Sequence, residues 1–172
     1  MTEHISQDLL LFLMSVFYII PIAYVYIYYD NNHSISSIIS QDNSKYIILF
    51  FMILMGATTI LYEYKRNDIY SLIIIGILLI SIYILIYFEE DHILHYIFAS
   101  IAFISILLFM IRHCNRECNL NCYILHLLLL IQILLLLLLL SLIINKKDTI
   151  FLYESIYLLN FAIFYFYIHR DR

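Results

Sequence analysis

Apolar residues fill six long stretches of this chain, at 9–29, 46–64, 69–88, 93–111, 122–144 and 150–168, and most charged residues stand in the short breaks between them. A hydrocarbon core about 30 Å thick needs roughly 20 helical residues to cross it, so each stretch is about one membrane long. Segments such as Ser71–Phe88 and Cys122–Ile144 show no polar face at a 3.6-residue period, as a soluble amphipathic helix would. Nor do they alternate polar and apolar residues as a membrane β-barrel strand does. Lipid offers backbone amides no partner, so a continuous helix is the expected solution for each stretch. The pattern predicts an all-α polytopic membrane protein: a single domain over 1–172, built as an antiparallel bundle of six transmembrane helices.

Composition agrees with the pattern. The chain is 65% hydrophobic and 13% charged, against roughly 25% charged residues in soluble domains. Its formal net charge of −4 and the lack of any Lys/Arg cluster argue against a nucleic-acid partner. Met1–Asp8 carry Glu3 and Asp8 but no Lys or Arg, so the basic start of a cleaved signal peptide is missing, and 9–29 is expected to remain as an anchor. Alternation of the spans places Lys65, Arg66, Arg112, Arg116, Arg170 and Arg172 on one side and Lys45, Lys146 and Lys147 on the other. The positive-inside rule then puts both termini in the cytoplasm. The choice between endomembrane and plasma membrane stays open.

Polar residues inside a membrane are costly, and so they mark candidates for function. Glu154 lies near the outer start of the sixth span, His126 near the inner start of the fifth, and Gln132 deeper within that fifth span. Together they are candidates for an intramembrane polar path. Glu63 closes the second span beside Lys65 and Arg66 and is expected to reach out to the interface. The fourth span opens with His92 and His95 directly after Glu89, Glu90 and Asp91, a set that could supply zinc ligands, although no HExxH helix accompanies it. Cys114, Cys118 and Cys122 recur every four residues at a membrane border, where lipidation is a candidate modification. The chain holds no Walker loop, no Rossmann glycine pattern and no G-x-S-x-G elbow. Pro21, Gly56 and Gly76 do not form the paired helix breaks usual in transporters. No cofactor is expected, and the balance leans away from an enzyme.

In the fourth span His95, Ala99 and Phe103 recur at four-residue steps and so share one helical face. Together with Ile35-Ser36 in the first long loop, this pattern resembles the Frag/DRAM/Sfk-type membrane proteins, which include the damage-regulated autophagy modulators. The resemblance covers roughly residues 33–111. The Gly and Pro-Pro-Glu that commonly follow that family's Ile-Ser are replaced here by SIISQDNSK. It implies a six-span, non-enzymatic protein tied to lipid organisation or autophagy. His95, Ala99 and Phe103, with Glu89, Glu90 and Asp91, would then contact lipid or partners. Membrane lipids and further membrane proteins, a second copy included, are the implied partners. A small channel or transporter is the alternative, and a histidine- or metal-dependent membrane hydrolase follows it.

Overall fold

The computed structural model describes residues 6–28, 35, 38, 42–88, 92–116, 122–144 and 150–169. The side chains of residues 42–44, 122 and 144 are outside that description. Six long helices carry the fold: α1 (Gln7–Tyr28), α2 (Asp42–Lys65), α3 (Ile69–Leu85), α4 (Ile93–Arg116), α5 (Cys122–Ile144) and α6 (Ile150–His169). No strand occurs among the described residues. The fold is an all-α bundle in which each helix packs against the next, and α4 also meets α6. From α2 onward short connections account for this antiparallel order, because a chain that turns within a few residues returns along its own path.

Five helices are long and apolar enough to cross a membrane, while α3 has 17 residues. Helix α3 stops at Leu85 rather than at the expected Phe88. Beyond Leu85, Tyr87 N–H bonds to Ile84 O and Phe88 N–H to Leu85 O, a tightened i→i+3 turn that ends the helix. Helix α4 instead runs past residue 111 to Arg116. The extra turn carries Arg112 and Arg116, whose shared partner is described below.

One apolar core draws on all six helices, with Met14, Tyr62, Leu78, Phe109, Leu139 and Phe164 among its buried members. Gly56 lets α2 and α3 approach closely: a Cβ there would stand 3.3 Å from Leu79 Cδ1. Small residues serve this purpose between membrane helices, where packing replaces the hydrophobic drive. The outward surfaces of α1, α3 and α5 show Phe12, Ile19, Ile73, Ile80, Leu134 and Leu137, all exposed. Apolar side chains facing outward as well as inward are the mark of a bundle solvated by lipid.

Candidate functional site

The polar residues of this bundle collect in three layers, and the most heavily charged sits where α2, α3, α4 and α6 meet at the basic end. The α2–α3 corner builds it. Arg66 N–H reaches Tyr62 O and Glu63 O, Asn67 N–H reaches Tyr64 O, and Asn67 takes φ 56°. That left-handed conformation ends a helix, and Asn tolerates it better than most residues. Asp68 follows at once as the N-cap of α3, accepting from Ser71 N–H at 3.2 Å and from the Ser71 hydroxyl at 3.0 Å.

Arg112 Nη2 donates to Asp68 Oδ1 at 2.6 Å, and Arg116 Nη1 donates to Oδ2. Residues four apart lie on one helical face, so a single carboxylate holds both arginines. Arg112 also stands over the Tyr70 ring, 4.8 Å from its centroid. Burial alone raises the Asp68 carboxyl. The hydrogen bonds from Arg112 and Ser71, together with the Arg112 charge, outweigh that and hold it well below the usual carboxylate range.

His113 Nε2 lies 3.2 Å from Ser71 Oγ. Because the Ser71 proton is directed to Asp68, Nε2–H is the donor in this contact, which sets the tautomer. The Ser71 hydroxyl is fully buried and points away from the imidazole as a donor, so the trio is not arranged for nucleophilic attack.

Beside it lies a second knot. Glu63 is fully buried, and its Oε1 accepts from the Tyr165 hydroxyl at 2.6 Å. Its Oε2 is 3.6 Å from Arg66 Nη1. The expectation that Glu63 reaches the interface is therefore corrected: its partners are inside the bundle, and an unpaired carboxylate could not remain there. Arg66 Nη1 also lies 3.0 Å from His169 Nε2. The same Nε2 stands 3.7 Å from Glu63 Oε1, so the imidazole lies between the guanidinium and the carboxylate. The His169 ring meets the edges of Tyr62, Tyr165 and His113 at 4.9, 4.6 and 6.2 Å between centroids. The two knots thus touch through their histidines.

The middle layer joins α5, α6 and α4 without charge. Asn160 Nδ2 donates to Leu128 O at 2.9 Å and to Gln132 Oε1. Gln132 Nε2 donates to Tyr157 O at 3.3 Å, and the Tyr157 hydroxyl donates to Phe103 O at 2.8 Å. At the opposite end Glu154 is buried and accepts from Ile35 N–H at 2.6 Å. His95 is buried as well, its Nδ1 2.9 Å from Phe88 O.

These layers rearrange the sequence-level candidates. Ala99, Phe103, Ile35 and Glu154 line one cavity of about 80 Å³, and His95 is not among its lining residues. Phe103 packs edge-on against Tyr157, at 4.9 Å. Gln132 belongs to the middle layer, whereas His126 is exposed on α5, so the two do not continue a path to Glu154. His92 is exposed, and its Nδ1 accepts from Leu94 N–H at 3.2 Å. Among the described residues no group of three or more His, Cys, Asp or Glu is placed to hold a metal. Cys114 is buried at 2% exposure, which takes its thiol out of reach of acyl transfer in the folded bundle. Glu89, Glu90, Asp91 and Cys118 lie outside the described residues, as does the Cys122 side chain.

Sequence reasoning missed Asp68, Ser71, Asn160, Tyr165 and His169, and read Arg112 only as a loop charge. Two signals were available. Asp68-x-x-Ser71 opens an apolar run as a helix cap does. On α6, Glu154, Tyr157, Phe161, Tyr165 and His169 recur at steps of three and four and are all buried.

The class is thereby defined: an all-α helical bundle of membrane-spanning character, stitched internally by ion pairs and amide bonds. Comparison with protein-family models, curated proteins and solved structures finds no match.

Proposed function

We propose that this chain is a non-enzymatic, lipid-associated multi-pass membrane protein, a scaffold or regulator of the kind the Frag/DRAM/Sfk resemblance implies. The observation that carries this reading is the use made of the polar groups. Glu63 is bonded to the Tyr165 hydroxyl of α6 and Asp68 to Arg112 and Arg116 of α4, and Gln132 and Asn160 to each other and to carbonyls. The polar groups act as ties between helices, and the exposed side chains of the described spans are largely apolar. In this reading α3 crosses with the other five helices, its short span completed by the turn at 86–88. The end carrying Lys65, Arg66, Arg112 and Arg116 faces the cytoplasm, as basic loops do.

The transport alternative finds less support, since His126 is exposed while Glu154 and Gln132 are buried in separate layers. The purified protein, reconstituted in liposomes, tests the choice. Proton and potassium flux equal to empty liposomes, with phospholipid retained through detergent washing, is expected. Flux above the blank would overturn the scaffold reading in favour of transport.

A further inference from the structure

Exposed tyrosines stand at both ends of α2 and α3, with exposed apolar side chains between them. On α2 the borders are Tyr46 and Tyr64, 73% and 70% exposed. On α3 and its closing turn they are Tyr70 and Tyr87, 63% and 56% exposed. Ile53 and Ile60 of α2 and Ile73 and Ile80 of α3 face outward in between. Thr58, Thr59, Glu63, Ser71 and Ser81, which also lie between the borders, are all buried. Tyr83, exposed one turn inside, pairs its hydroxyl with that of Tyr87 at 3.1 Å. Tyrosine favours the membrane–water border because its ring is apolar and its hydroxyl needs water.

The two helices give the same height. Tyr46 and Tyr64 are 18 residues apart, a rise of about 27 Å, and Tyr70 and Tyr87 are 17 apart, about 26 Å. Side chains lean toward a helix's N-terminus, so Tyr46 leans away from the bilayer centre and Tyr64 toward it. The rings on α2 therefore keep the spacing of their Cα atoms. The borders are also level with each other. The corner at 65–68 joins Tyr64 to Tyr70, and at the other end Lys45 Nζ stands 5.9 Å from the Tyr87 ring centroid. A short span cannot lengthen, whereas a longer one fits by tilting. The height is thus set by α2 and α3 and not by α1 or α5, which are 22 and 23 residues long.

We propose that this protein spans a thin, sterol-poor bilayer whose hydrocarbon is about 27 Å thick, the value of an endoplasmic-reticulum membrane, and not a sterol-rich plasma membrane of about 32–33 Å. The proposal rests on the membrane-spanning reading and adds the kind of lipid surface, choosing endomembrane over plasma membrane. A bilayer about 5 Å thicker would draw the tyrosine hydroxyls, and Lys45 and Lys65 beyond them, into hydrocarbon by about 2–3 Å at each end.

The chain contains no tryptophan, so Ile77→Trp, at an exposed position on α3 between its two borders, places a single fluorophore against lipid. The variant, shown to be helical by circular dichroism, is reconstituted with a brominated phosphatidylcholine. Unbrominated phosphatidylcholines then compete for its surface, graded in hydrocarbon thickness from below about 27 Å to above about 33 Å. Relief of quenching reads the relative affinity of each lipid. Affinity is expected to peak near 27 Å and to be about threefold lower at about 33 Å, the scale of mismatch costs of this size. Replacing the outer border in the same background, with Tyr46→Leu and Tyr87→Leu together, should flatten that profile. A flat profile before the replacement, or a peak at about 32–33 Å, overturns the thickness. A peak that survives it unchanged overturns the role of the two tyrosines. A probe that no brominated lipid quenches refutes the membrane-spanning reading itself, a result distinct from any position of the peak.

Discussion

Removing the carboxylate of Asp68 should destabilise the bundle, because this one buried side chain serves three partners. Loss of an N-cap costs about 1 kcal/mol. The hydrogen bond from Arg112 is charge-assisted and partly buried, with 24% of that arginine side chain exposed, and such bonds contribute about 1.5–3 kcal/mol. Arg116 is 54% exposed and adds less than about 1 kcal/mol. Asp68→Ala should therefore cost roughly 3 kcal/mol in reversible unfolding monitored by circular dichroism in mild detergent. Asp68→Asn keeps one acceptor oxygen for Ser71 N–H and loses the charge and the second acceptor, so it should cost about 1 kcal/mol less than Asp68→Ala. A double-mutant cycle with Arg112→Gln should return a coupling of about 1.5–3 kcal/mol, since the two groups touch. Acid provides an independent check. The folded carboxyl lies below its ordinary value, so its contribution is complete above about pH 3.9, the value in an unfolded chain, and fades as pH falls further. Asp68→Asn should remove that part of the acid sensitivity. A cost for Asp68→Ala below about 1 kcal/mol, or a coupling near zero, would refute the claim that this corner ties α3 to α4.

Tyr165→Phe deletes the 2.6 Å bond to the buried Glu63 and should cost about 1.5–3 kcal/mol by the same unfolding assay, with little change in helix content. Asn67 holds φ 56°, so Asn67→Gly should be close to neutral and Asn67→Val should cost about 1–2 kcal/mol. In the middle layer, Asn160→Leu strands Gln132 and should cost about 0.6–1.7 kcal/mol, the range of hydrogen bonds between membrane helices. The double change Gln132→Leu with Asn160→Leu should cost less than the two singles together, since neither partner is then left unsatisfied; additive costs would show that the two amides do not pair.

All six spans were legible in the sequence, the last two almost to the residue. Cys122–Ile144 matches its expected range, and Ile150–His169 exceeds its own by a single position. Apolar length and the need to satisfy backbone amides act along one segment at a time, so no knowledge of neighbours is required. One end shifted where a tertiary partner took part. Helix α4 runs on to Arg116 because Arg112 and Arg116 reach Asp68, 44 and 48 residues earlier in the chain.

The candidate residues were less legible, for a related reason. Helical spacing names a face but not what the face meets. His95, Ala99 and Phe103 do share a face, yet His95 bonds to Phe88 O while Ala99 and Phe103 line a cavity with Glu154. Glu63, beside two basic residues, reads as an interfacial carboxylate. Its burial depends on Tyr165, Arg66 and His169 converging on it, and Tyr165 is 102 residues away in sequence. What the sequence determined by itself was the number, length and apolar character of the helices, which follow from the chain's relation to its solvent. Only the tertiary structure decided which polar groups are ties and which border residues stand level with each other, because both depend on side chains distant in sequence meeting in space.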